Sequence, residues 1–156
     1  MKVETLENRS GLPPSAVFYL APVADNPNET ARDTLKRLLP AGIWAFSKGT
    51  PHQARVKSGD RIAFYQAGVG VVATAEVATA PEEKPLPIVK DPSKYTWTFE
   101  LAHAKLFLDD PILIDATLRS KLDEFAHRDP NKIWSWFVFA FRRVTQDDYD
   151  LLVGGH

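Results

Sequence analysis

The stretch Gly42–Val77, GIWAFSKGTPHQARVKSGDRIAFYQAGVGVVATAEV, decides how this chain is read. It opens on an apolar run, Ile43–Phe46, that carries Trp44. Ser47–Ser58 follows with Gly49, Pro51 and polar residues in no regular period, and reads as a loop. Ser58-Gly59-Asp60 is a turn signal. Beyond it Arg61–Gln66 and Val69–Val77 read as neighbouring antiparallel strands, with Gly68 and Gly70 permitting a tight connection or a bulge. The loop is basic: Lys48, Arg55, Lys57 and Arg61 stand against Asp60 alone, and Ser47, Thr50, His52 and Gln53 add hydrogen-bonding groups. Such clusters meet phosphates through charge-assisted bonds. A solvated loop that happens to be basic is the other account. Trp44 carries a similar pair of readings, core packing or a stacking wall for a base. Trp97, Trp134 and Trp136 share it.

Outward from this stretch, the N-terminal side begins with residues 1–15, which read as a flexible arm before a single domain over 16–156. Ala16–Ala21, AVFYLA, reads as a buried strand between Pro14 and Pro22. Asn28 is a candidate cap for a helix from about Glu29 to Leu39, with Leu35, Leu38 and Leu39 as its apolar face. Pro40 stops that helix and Gly42 turns the chain. On the C-terminal side, Ala78–Ser93 holds four prolines and reads as a long extended loop. Tyr95–Phe107 alternates as a half-buried strand, and Ile114–Phe125 reads as an amphipathic helix. Ile133–Phe141, IWSWFVFAF, is the most β-prone run of the chain, a strand that would set Trp134 and Trp136 on one side. Thr145-Gln146-Asp147-Asp148 resembles a capping box and opens a last helix, Asp147–Val153. The element order predicts a mixed α/β (α+β) fold, a small mainly antiparallel barrel with flanking helices. The strict βαβα alternation of a parallel sheet is absent.

Composition narrows the function classes. The chain has 156 residues, enough for one domain with a sizeable core, and its 19 Lys+Arg and 20 Asp+Glu give a net charge of −1. Any nucleic-acid site must therefore be a local patch. There are no cysteines, which removes disulfides, thiol nucleophiles and cysteine-ligated zinc. No apolar run approaches the roughly 20 residues of a membrane span, and the first residues are too polar for a signal peptide. A cytoplasmic monomer is the expectation. No GxSxG, HExxH or DxDxDG pattern occurs. Gly68-Val69-Gly70 lies between strands instead of opening a helix. The acidic pairs Glu82-Glu83, Asp109-Asp110 and Asp147-Asp148 fall in loops or at helix starts. The sequence points to no catalytic residue, no metal site and no cofactor.

AVFYLA, the helix after it, GIWAFSKG, PHQAR, KSGDRIAFYQAGVGVVATAEV and the tail FVFAFRRVTQDDYDLL together resemble the EVE branch of the PUA-like superfamily, which is related to YTH domains. The resemblance spans residues 16–153. It implies a small, partly open β-barrel with helices around it, and a reader instead of a catalyst. In such proteins a modified base, a modified cytosine or a methylated adenine, is flipped out of DNA or RNA into an aromatic pocket. Carried over to this chain, Trp44 matches the stacking tryptophan, Ser47 falls near the serine after it, and Tyr65 and Gln66 match the end of the strand after the Gly-Asp turn. Lys48, His52, Gln53 and Arg55 fall in the loop that would meet the nucleic-acid backbone, and Arg61 adds a further phosphate contact. Two departures stand out. Leu20-Ala21-Pro22 replaces the usual polar motif after the first strand, and Ala78–Ser93 contains no aromatic for a second cage wall, leaving Trp97 as the substitute. A nuclease or restriction subunit is an expected partner. Two alternatives remain open: an ASCH-like hydrolase acting on a modified nucleoside through Lys48 and Glu76, and a protein-interaction module.

Overall fold

The computed structural model describes residues 16–129 and 131–156, so the N-terminal arm lies outside the described residues. Seven strands make one curled sheet, a half-barrel, with three helices against it. They are β1 (Phe18–Val23), β2 (Ile43–Phe46), β3 (Arg61–Gln66), β4 (Gly70–Val77), β5 (Glu82–Glu83), β6 (Trp97–Leu106) and β7 (Arg142–Val144). The order across the sheet is β2-β6-β4-β3-β1-β7, with β5 on β6. Every pairing is antiparallel except β1 with β3, which run parallel because α1 (Ala31–Leu38) and β2 intervene between them. The expected mixed fold with a small, partly open sheet is the one observed.

Burial on both faces explains the apolar runs. Ile62, Phe64 and Val72 point into one core layer, with Tyr19, Leu35, Leu38, Trp44 and Phe46. Ala63, Tyr65 and Val71 point into the other, with Phe18, Leu20, Phe137 and Leu152. A strand covered on both sides has no polar face to alternate, so AVFYLA and RIAFYQ read as continuous hydrophobic stretches. The Gly-Asp turn is fastened from within. The fully buried Asp60 accepts from Val17 N (3.0 Å), Lys57 N (3.0 Å) and Lys57 Nζ (2.9 Å), joining the turn to the approach to β1.

Three expectations change. The first helix starts later, at Ala31, because Thr30 and not Asn28 caps it, accepting from Asp33 N at 3.1 Å. The helix expected over Ile114–Phe125 shrinks to α2 (Ala116–Arg119) and a separate 3-10 turn, Asp123–Phe125. The break is held by the buried Asp148, whose carboxylate takes the Asp123 and Glu124 amides at 2.6 and 3.2 Å. The β-prone run Ile133–Phe141 is not a strand. It forms a 3-10 turn at Ser135–Phe137 and irregular chain on either side, and only the three residues after it pair as β7. The last helix, α3 (Gln146–Val153), is capped by Thr145, as the sequence predicts. Among the described residues no helix is long and apolar enough to cross a membrane.

β2 and β7 end the sheet on opposite sides and do not pair with each other. β7 is also short, reaching only Phe18–Leu20 of β1, so Ala21–Val23 have a strand on one side alone. Pro22, with no N–H to donate, falls in that half-paired segment, where a proline is tolerated.

Candidate functional site

A cavity of about 430 Å³ lies in the opening of the half-barrel. β2 contributes Trp44 and Phe46, the residue after it is Ser47, and the chain leading into β7 contributes Phe139, Ala140 and Phe141. The α1 segment contributes Glu29, Thr34, Arg37 and Leu38, and the loop before β6 contributes Val89, Lys90 and Tyr95. The site is thus built from the two ends of the sheet, the helix that crosses between them and one long loop.

Its apolar lining is largely aromatic and firmly set. Trp44 is 8% exposed and meets Phe64 at 4.8 Å and 68°. Phe46 meets Phe141 edge to face at 4.7 Å, and Phe141 stacks on Tyr19 at 4.8 Å. Rings held this way present a preformed wall and lose little freedom when a flat ligand enters.

Its polar lining includes an ion pair. Glu29 receives Arg37 in a fork, Nε to Oε2 at 2.8 Å and a terminal nitrogen to Oε1 at 2.5 Å, and Thr34 Oγ1 donates to Oε1 at 2.8 Å. Arg37 also donates to the Ile88 carbonyl. Lys90 Nζ stands 3.7 Å from Oε2. The Arg37 hydrogen bonds outweigh the desolvation of a side chain only 7% exposed, and hold the Glu29 carboxyl down at about 2. Glu29 is therefore an ionised acceptor on the cavity wall.

The loop after β2 makes a second, shallower depression from Lys48, Thr50, Pro51, His52, Gln53, Ala54 and Arg55. Thr50 and Pro51 also line the cavity, so the two concavities share a rim. The loop is internally bonded. Ser47 Oγ and Thr50 Oγ1 lie 3.1 Å apart, and the Gln53 amide, oriented by its partners, donates to the Ser47 and Lys48 carbonyls at 2.8 and 3.1 Å. His52, in a left-handed conformation (φ 62°), brings its ring to 6.2 Å from Tyr19. Arg143 sits opposite Tyr19 across β1 and β7. Burial raises the Tyr19 hydroxyl and Asp60 raises it further, while the charges of Arg143 and Arg55 pull it down.

The structure thus brings Trp44 and Ser47 to the cavity, and Lys48, His52, Gln53 and Arg55 to the adjoining depression. Tyr65 belongs to the opposite core layer, and Gln66 ends β3 outside both concavities. Trp97 pairs with Phe46 across β2 and β6, is half-buried against the same core layer and lines neither concavity. Arg61 sits opposite Phe18, on the face away from the cavity, 3.7 Å from Glu76. Glu76 lines neither concavity, whereas Lys48 lines the second. Sequence reasoning misses Tyr95, Phe139, Phe141, Glu29, Arg37 and Arg143. Tyr95 alone carries a usable signal, since it stands two residues beyond Ala78–Ser93, the loop expected to carry a second aromatic wall. Among the described residues no cluster of three or more His, Asp or Glu is placed to hold a metal ion.

No protein-family model matches the chain, and no curated protein does. Solved structures do. The YTH domain of a Zygosaccharomyces rouxii protein, in complex with N6-methyladenosine RNA, superposes with a TM-score of 0.59 at 12% identity, covering 92% of this chain and 88% of that one. A protein from Rhodopseudomonas palustris gives 0.53 at 16% identity, covering 89% and 92%. One from Agrobacterium tumefaciens gives 0.54 at 15%, covering 90% and 94%. The likeness is one of fold: the half-barrel is YTH-like and related to the PUA architecture.

Proposed function

We propose that this chain is a non-catalytic reader that takes a modified nucleobase, flipped out of single-stranded RNA or DNA, into the cavity between β2 and the approach to β7. The observation that carries the reading is the adjacency of an aromatic cavity and a basic depression across the shared rim of Thr50 and Pro51. A base needs stacking surfaces and a hydrogen-bonding edge, and the sugar-phosphate attached to it needs cations within a few ångströms. Trp44, Tyr95 and Phe141 supply the surfaces, and Ser47 and the ionised Glu29 supply the edge contacts. Lys48, His52, Arg55 and Arg143 supply the positive rim. A methyl group on the base adds about 0.8 kcal/mol when buried, so discrimination comes from ring contacts closing around it. The N6-methyladenosine RNA held by the Zygosaccharomyces rouxii domain makes methylated adenine the first modification to try. Modified cytosine in DNA is the second.

Tyr95 is half-buried and less tied to the core than Trp44, so its loss separates binding from folding. Titration of the protein with oligonucleotides carrying N6-methyladenosine, 5-methylcytosine or 5-hydroxymethylcytosine, beside their unmodified versions, should show one preferred modification. Tyr95→Ala should weaken that binding by about 1–3 kcal/mol, the range for one lost stacking partner. Equal affinity for modified and unmodified strands throughout the panel would remove the reading.

The interaction-module alternative predicts a pocket filled by the protein's own side chains, whereas this cavity is open at about 430 Å³. The hydrolase alternative needs Lys48 and Glu76 in one pocket, and Glu76 lines neither of the two concavities described above.

A further inference from the structure

Phe139 is 84% exposed, although it lines the cavity. The rings two residues to either side are both buried, Phe137 at 0% and Phe141 at 6%. Phe137 packs on Phe125 at 5.2 Å with the Arg142 guanidinium 5.0 Å over its ring, and Phe141 is held by Tyr19 and Phe46. The backbone is therefore pinned on both sides of residue 139, and the side chain between the anchors projects outward at the mouth. Half-buried Val138 and Ala140 flank it. A large ring kept in water at the mouth of an aromatic cavity forgoes the stabilisation of burial and presents a bare face that an occupant of the mouth can cover.

We propose that Phe139 stacks on the nucleobase adjacent in the strand to the flipped one. This rests on the reader function proposed above. Flipping a base leaves its neighbour with a bare face, and an aromatic side chain offered at that face replaces the lost stacking. Because every base has such a face, Phe139 adds affinity for the strand without adding sequence preference. It is a positioning residue: it holds the neighbour at the mouth while the cavity reads the modified base.

Two ligands separate this role from the cavity's own, free N6-methyladenosine and a short single-stranded RNA with one central N6-methyladenosine. Phe139→Ala should weaken the RNA by about tenfold and the free nucleoside by much less, with Phe139→Trp restoring the RNA. Replacing the nucleotides on either side of the modified base with abasic spacers should weaken wild type and leave Phe139→Ala little further to lose, since both changes remove one contact. The melting temperature should not move, because the side chain is exposed. RNA binding unaffected by Phe139→Ala, or an equal loss for the nucleoside, overturns the inference while the reader function stands. Wild-type protein that binds neither the nucleoside nor the RNA overturns both for N6-methyladenosine.

Discussion

Glu29 brings a carboxylate to the cavity wall, and its state can be checked without any ligand. Its pKa in the fold is about 2, against an ordinary 4.5. A depressed value means that the ion pair with Arg37 stabilises the fold in full above the ordinary value, and that this contribution is lost as pH falls from about 4.5 to about 2. Discounted for the partly exposed Arg37, the contribution is about 2–3 kcal/mol. Glu29→Gln should therefore lower stability by about that amount at neutral pH, and the two proteins should converge in acid. Asp148 titrates with the opposite sign, because burial raises its carboxyl and favours the protonated form. It is common to both proteins and cancels from the difference between their melting curves. A stability gap that persists unchanged down to about pH 2 would rule out the ionised pair. None of this was legible in the sequence. Glu29 reads there as an acidic residue of a first helical turn, and its partners Arg37, Thr34 and Lys90 converge on it only once the helix and the proline-rich loop are folded together.

At the scale of elements, the sequence is most readable where one local signal meets no tertiary rival. The Gly-Asp turn, the hairpin of β3 and β4 and the Thr145 cap all lie where turn and cap chemistry place them. Ile133–Phe141 fails for the opposite reason. β-propensity measures how well a side chain fits a pleated, half-buried surface, and aromatic rings satisfy that preference equally well by filling a core from an irregular loop. Phe137 and Phe141 do so, and Ile133 and Phe139, each more than four-fifths exposed, are left in water. Gly70 shows how one residue can set an element's position. A turn or bulge is what the sequence supports, yet its Cα faces another backbone: an added Cβ would lie 2.5 Å from the Ile112 carbonyl oxygen and 3.0 Å from its carbon. The bridge there consists of Val71 N to Ile112 O at 2.9 Å and Ile112 N to Val71 O at 2.8 Å. Gly70→Ala should force β4 and the Ile112 segment apart and cost about 1–3 kcal/mol, the range for an overpacked core. Gly68→Ala, in open space but at φ 78°, should cost less, about 1 kcal/mol of backbone strain. Chemical denaturation of the two variants ranks them, and a larger loss for Gly68→Ala would mean that turn conformation, not the close approach, is what the glycines provide.

Over the whole molecule, an almost neutral chain has to concentrate positive charge if it is to hold a nucleic acid. The half-barrel does this by leaving its sheet unclosed. β7 and the loop after β2 come from distant parts of the sequence, yet the charges of Arg55 and Arg143 both act on Tyr19, with Arg55 in the basic depression and Arg143 opposite Tyr19 across β1 and β7. The basic loop was legible as a local run. Arg143 was not, because its place in the rim depends on β7 pairing with β1, a contact between residues 19 and 143. The division of labour makes a quantitative forecast. Rim cations meet phosphates, which every strand carries, so Arg143→Ala should weaken modified and unmodified oligonucleotides by the same factor and keep the preference for the modified base. Each phosphate contact to a single strand contributes about 0.7 to the slope of log affinity against log salt, so the variant's slope should be shallower by about that amount. Tyr95→Ala should do the reverse, reducing the preference and leaving the slope alone. Salt titrations of the three proteins on one modified strand and its unmodified twin separate these effects. If Arg143→Ala changed the preference and kept the slope, the guanidinium would be reading the base, and the boundary between cavity and rim would have to be redrawn through β7.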